Sequence, residues 1–280
     1  PLAILALQKI RKLQSQGIPL TPDTPFTVLF SENIIKKTDT THPNNKLTIA
    51  HLIKKIFLVS DNTAYNYLFD FIGRDDANKA IHSIGIPNFK LSHKFSDSET
   101  QNSTPHFIFF NQKGDTIYNQ APIISHQKIK NTHLEGVLKG KRYVKDGTVI
   151  EQSMDFSKKN YASIEALHQI LKRIIFPKLF SKNEQFKIEQ EDYFFLRYWM
   201  SRTPNEVTIP FYDRETFFDS YGKFFIYGDK KGEMTNTTRI YNKVGLAYGT
   251  ATDVAYVKDS NGVEFFLTAT ILTNKNEILE

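Results

Sequence analysis

Helical spacing of apolar residues runs through most of the chain, and strand-like alternation takes over at its end. Ile4, Leu7, Ile10 and Leu13 share one face opposite Lys9, Arg11 and Lys12, which predicts an opening helix. Pro19, Pro22, Pro25 and Pro43 punctuate loops around a short strand, Phe26–Phe30. Leu52, Ile53, Ile56 and Phe57, then Tyr65, Leu68, Phe69 and Ile72, predict two successive helices, with Thr48 capping the first and Gly73 ending the second. A short amphipathic helix follows over Asp75–Ile84. Phe107–Phe110 and Thr116–Tyr118, around Gln112-Lys113-Gly114-Asp115, read as a hairpin, and Asp146-Gly147 marks another tight turn. Further helices are expected over residues 160–175 and Glu191–Arg202, with Tyr193, Leu196, Trp199 and Met200 as core. The Phe/Tyr-rich run Phe211–Tyr227 is assigned to core rather than to a groove. Ile240–Val257 and Val263–Ile271 read as strands joined at Asn261-Gly262.

Composition narrows the classes. The net charge is +6, but the 36 basic residues are interspersed with 30 acidic ones and form no long run, so no nucleic-acid partner is expected. The absence of cysteine excludes disulfides, thiolate metal sites and a thiol nucleophile. No stretch has the apolar length of a membrane span. His51 and His82 lack a second ligand in a recognisable pattern and read as structural, so no metal and no cofactor is expected.

Between the two central helices stands Ser60-Asp61-Asn62, three residues that all make good helix caps. Far downstream, Tyr241-Asn242-Lys243-Val244-Gly245 opens the terminal strands. A Ser-Asp-Asn on a helical junction followed by a Lys-x-Gly on a late strand resembles the second and third motifs of the penicillin-recognising serine hydrolases, and within them the class A β-lactamase-like branch. The resemblance implies an α/β fold of the α+β type: a mainly antiparallel sheet packed with helices, plus a helical subdomain. It implies one catalytic domain over residues 1–280, the helical part spanning approximately 1–205 and the sheet part approximately 211–280.

By the same resemblance, Ser60, Asn62 and Lys243 are the catalytic residues. Ser60 would pass a proton to the leaving nitrogen, Asn62 would orient the substrate amide, and Lys243 would supply positive charge across the cleft. Val244 and Gly245 would bind substrate along the strand, Asn62 would join them, and Asp61 would hold the junction. Val244 departs from the family's usual Thr or Ser, whose hydroxyl helps bind the β-lactam carboxylate.

The family's first motif, the nucleophile-bearing Ser-x-x-Lys, is missing from the head of the opening helix. Two such strings inside the chain, Ser125-His126-Gln127-Lys128 and Ser220-Tyr221-Gly222-Lys223, fall in the wrong order or context. The expectation is a fragment clipped at both ends, with Ser and Lys just before Pro1. Glu151 is the nearest candidate for the glutamate that activates the deacylating water, but its surroundings do not match the family's Glu-x-x-x-Asn, and an exposed loop carboxylate is expected. The function implied is a serine hydrolase acting on β-lactams or D-alanyl peptides, in a periplasmic or cell-surface setting. The alternative is a non-catalytic module that keeps the fold and binds cell-wall peptides or a protein.

Overall fold

The computed structural model describes residues 1–31, 34–95, 102–127, 134–228, 230–232, 234 and 237–279. The chain opens with α1 (Leu2–Ser15), then β1 (Phe26–Ser31) and β2 (Ile34–Lys36). Three helices follow: α2 (Ile49–Val59), α3 (Asn62–Ile72) and α4 (Arg74–Ser83). The middle of the chain is mostly short strands: β3 (Phe89–Lys90), β4 (His106–Phe110), β5 (Thr116–Gln120), β6 (Leu138–Lys139), β7 (Arg142–Lys145), β8 (Thr148–Ile150), β9 (Met154–Asp155) and β10 (Tyr161–Ala162). Then come α5 (Ile164–Ile175), α6 (Gln190–Ser201), β11 (Thr238–Ala247), β12 (Thr250–Asp259), β13 (Glu264–Leu272) and β14 (Ile278–Leu279).

The apolar faces read from the sequence converge on one core. Ile4, Leu7 and Ile10 of α1, Leu52 and Ile53 of α2, and Leu68, Phe69 and Phe71 of α3 are all buried within it. The sheet β2-β1-β4-β5 adds a stack of aromatic rings, with Phe26 5.5 Å from Phe107 and 5.2 Å from Phe109. Burying rings of this size provides much of the apolar area that stabilises a domain.

The terminal sheet is antiparallel, in the order β11-β12-β13. Its residues alternate between faces, as strand geometry requires. Val254 and Tyr256 join the main core, and Ile240, Ala255 and Val257 form a smaller cluster on the other face. The helices therefore pack on the face that carries Tyr241 and Lys243.

Two expectations need correction. The run 240–257 is two strands, because Tyr248 and Gly249 both take positive φ (50° and 68°) and turn β11 into β12. Tyrosine seldom adopts that conformation, so the turn carries no ordinary sequence signal. The aromatic run from Phe211 to Tyr227 is not core. Phe211 is exposed, while Tyr212, Phe217 and Tyr221 pack half-buried against Leu58, Val59 and Trp199. Short turns and a cis Ile209-Pro210 peptide replace a long element there, so the rings have no continuous face to bury.

Candidate active site

Ser60 ends α2. Its φ of 57° and ψ of 41° are left-handed, the conformation that closes many helix C-termini, and its N–H donates to the Ile56 carbonyl at 3.1 Å. Holding a non-glycine residue there costs on the order of 1–3 kcal/mol. Asp61 then begins α3 as its N-cap, its Oδ1 accepting from the Ala64 N–H at 2.7 Å. Of the three possible caps in Ser60-Asp61-Asn62, the aspartate takes the role, and Asn62 is the first helical residue.

Across from this junction, strand alternation points Lys243 of β11 at the helices. Its Nζ donates to Ser60 Oγ at 2.7 Å and to the Val244 carbonyl at 2.7 Å. Burial lowers the Lys243 ammonium to about 8, with the charge of Asp253 opposing the shift. Ser60, Lys243 and Val244 line a small pocket together with Phe57, Tyr221 and Gly222. Asn62 and Gly245 are exposed and outside that lining, and no hydrogen bond involves the Asn62 side chain among the described residues. The head of α1 also lies at this place, Pro1 being within reach of the charge of Lys243.

Behind β11 is a buried polar network that sequence reasoning missed. Lys223 Nζ donates to Met200 O (2.7 Å), Ile240 O (3.0 Å) and Asn242 Oδ1 (2.8 Å). Asn242 Nδ2 in turn donates to Gly222 O at 2.9 Å and to Asp253 Oδ1 at 2.9 Å. Ammonium, amide and carboxylate are thus matched donor to acceptor, as buried polar groups generally are. The only sequence signal was the adjacency of Asn242 to Lys243.

The same network settles one internal Ser-x-x-Lys. The three donors of Lys223 are spent on those acceptors, and Ser220 Oγ donates to the Lys230 carbonyl at 2.5 Å, so the two do not form a nucleophile–base pair. In the other string Ser125 is buried, and Lys128 lies outside the described residues. Glu151 is exposed and pairs with Arg142 at 3.7 Å, away from the pocket lining. His51 and His82 bond to Thr41 Oγ1 and to the Phe89 carbonyl. Among the described residues, no cluster of three or more His, Asp or Glu side chains is placed to hold a metal ion, and no helix is long and apolar enough to cross a membrane.

Comparison with known families is decisive at this point. The model of the β-lactamase enzyme family matches residues 16–277. The chain belongs to that family. Solved structures share its architecture at low identity. A β-lactamase from Burkholderia vietnamiensis is 12% identical with a TM-score of 0.51, the match covering 99% of this chain and 73% of that one. One from Burkholderia phymatum is 15% identical with a TM-score of 0.50, covering 99% and 75%. A mutant of PBP-A, solved as an acyl-enzyme complex with penicillin G, is 12% identical with a TM-score of 0.50, covering 99% and 73%. Identities this low establish the β-lactamase-like fold alone. No curated protein sequence matches the chain.

Proposed function

We propose that this β-lactamase family member is a serine hydrolase that acylates itself on amide substrates, β-lactams or D-alanyl cell-wall peptides, at the cleft between Ser60 and Lys243. The observation that carries this reading is the 2.7 Å hydrogen bond from Lys243 Nζ to Ser60 Oγ. An ammonium can only donate, so Ser60 accepts that bond and keeps its own proton for another acceptor. In the family's mechanism the serine of a Ser-x-x-Lys motif attacks the amide carbonyl and the carbon–nitrogen bond breaks. The lysine of that motif, or a water, takes the serine's proton, and Ser60 hands a proton to the departing nitrogen. Lys243 stabilises negative charge on Ser60 as that proton leaves, the kind of preorganised electrostatic help that lowers barriers most. Asn62 orients the substrate amide, and the exposed backbone at Gly245 pairs with it edge-on, Gly245 having no side chain to block the approach. Residues 1–280 act as one catalytic unit in a periplasmic or cell-surface setting.

A second reading, a non-catalytic module that binds cell-wall peptides, is favoured by Val244, which lines the pocket without a hydroxyl. One experiment separates the two. The natural full-length protein is incubated with penicillin-type and other acylating probes and its mass measured, beside Ser60→Ala and Lys243→Ala. The hydrolase reading expects an adduct whose formation both substitutions slow by at least about a hundredfold, the scale of general acid–base effects. Equal labelling in all three proteins would remove the roles given to Ser60 and Lys243. Saturable binding without any adduct would leave the binding module.

A further inference from the structure

Lys55 lies on α2, five residues before Ser60, with its side chain turned into the protein; the residue is 8% exposed. Its Nζ reaches Asp39 Oδ2 at 2.9 Å and Asp61 Oδ2 at 3.2 Å, tying the loop before α2 to the cap of α3. We propose that Lys55 is a positioning residue for Ser60: by bridging Asp39 and Asp61 beneath the junction it holds Ser60 in the left-handed conformation that aims its hydroxyl at Lys243. The inference rests on the hydrolase reading for its kinetic consequence.

Both carboxylates are fixed from the other side. Asp61 Oδ1 is committed to the Ala64 N–H at 2.7 Å, so the Lys55 bond is what remains to set the orientation of that carboxylate. Asp39 Oδ1 accepts from the Thr41 N–H (3.0 Å) and from the Thr41 hydroxyl (2.6 Å). Having donated, the Thr41 oxygen accepts from His51 Nε2 at 2.8 Å. This assigns the proton of His51 to Nε2, and it fits a ring that burial keeps neutral at physiological pH, with a pKa of about 4, and whose buried Nδ1 has no partner. A continuous run of bonds, His51 to Thr41 to Asp39 to Lys55 to Asp61, therefore ends at the first turn of α3, directly after Ser60.

Tyr212, which packs with Leu58, Val59 and Trp199, lies close enough to feel the charges of Asp61 and Asp39. Its hydroxyl is raised by burial first and then by the charges of Asp61 and Asp39. A buried ion bridge contributes little net stability compared with apolar packing of the same volume, and the best-attested use of one is to fix a specific arrangement. Here the arrangement fixed is a strained serine that would otherwise relax. An error of about 1 Å in such a group costs on the order of a hundredfold in rate.

The test uses the natural full-length protein with Lys55→Met, Lys55→Arg and Asp39→Asn. Acylation kinetics and the NMR titration of the Lys243 side chain are read in parallel. Lys55→Met is expected to lower the acylation rate constant by roughly 10–100-fold while KM moves less than about threefold, and Lys55→Arg to recover most of the rate. The Lys243 midpoint is expected to fall below about 8 as its contact with Ser60 opens, because the ammonium loses a hydrogen-bond acceptor that favours its charged form. If Lys55→Met is not recovered folded, Asp39→Asn is expected to shift both readouts the same way by less. A lowered melting temperature with rate and Lys243 midpoint unchanged in the folded variants would overturn the proposal. A wild-type protein that no probe acylates would end the hydrolase reading instead, and the Lys243 titration would still decide whether the clamp exists.

Discussion

Raising the pH from 7 to 9 is expected to slow acylation through deprotonation of Lys243. Its ammonium is lowered to about 8 by burial, against the opposing charge of Asp253. A group with that midpoint is about 90% protonated at pH 7 and about 10% at pH 9. Only the protonated form donates to Ser60 Oγ; the neutral amine competes instead for the proton that Ser60 must deliver. The acylation rate constant should therefore fall about tenfold across that window, with a midpoint near 8. Stopped-flow measurement with a chromogenic β-lactam, between about pH 6 and pH 10, reads this directly.

Lys9 and Lys223 are also lowered, to about 8 and about 7, so the profile needs a control. Lys243→Arg supplies it, since a guanidinium does not titrate in this range. The variant's alkaline limb should disappear, whatever its absolute rate. Stability should run in the opposite direction. The folded pKa of Lys243 lies below its unfolded value, so the cost of burying the charged form is present in full below about 8 and is relieved as pH rises toward the ordinary lysine range. Lys223 contributes with the same sign from about 7 upward. Loss of activity accompanied by a steady or rising melting temperature separates titration from alkaline unfolding. An alkaline limb that keeps its midpoint near 8 in Lys243→Arg would refute the reasoning.

Two substitutions test the rest of the site and the core. Val244→Thr restores a hydroxyl at the pocket wall and is expected to tighten binding of carboxylate-bearing β-lactams by roughly 10–150-fold, the worth of a hydrogen bond to a charged group, with no gain for an uncharged ester probe; titration against both ligands reads the difference. Phe109→Ala removes a fully buried ring that lies 5.2 Å from Phe26 and 5.5 Å from Phe71, and should cost about 3–5 kcal/mol in urea unfolding. A loss below about 1 kcal/mol would mean that the aromatic stack is not the support of β1 and β4.

What was legible in the sequence was whatever is encoded within a few residues. The apolar faces of α1, α2, α3, α5 and α6 recur at helical spacing, and the expected helices lie within a few residues of the observed ones. Thr48 caps α2 as expected, its side chain accepting from the His51 N–H at 3.1 Å. The Asp146-Gly147 turn has positive φ at both residues, which that pair adopts readily. Tyr248-Gly249 works in the same way and went unread, because a tyrosine at positive φ is chosen by the surrounding sheet rather than by its own preference.

The candidate site divides along the same line. Ser60-Asp61-Asn62 and Lys243-x-Gly245 are recognisable because a left-handed cap, an N-cap and a strand face are local geometries, each specified by its neighbours in sequence. The groups that tune them are not local. Lys55 is buried, and its partner Asp39 lies sixteen residues upstream and turns back onto it. Asp253 opposes the lowering of the Lys243 pKa from the neighbouring strand, and Lys223 reaches β11 from an irregular loop whose aromatic residues suggested core. Strand register brings Asn242 opposite Ala255, Lys243 opposite Val254 and Val244 opposite Asp253, so Asp253 is one position from the partner of Lys243 and two, on the same face, from the partner of Asn242 as soon as β11 and β12 pair. Given the Tyr248-Gly249 turn, that register follows from counting outward along both strands; the placing of Asp253 was therefore hidden by one two-residue turn, whereas the approach of Asp39 to Lys55 and of Lys223 to β11 depends on how the loops pack.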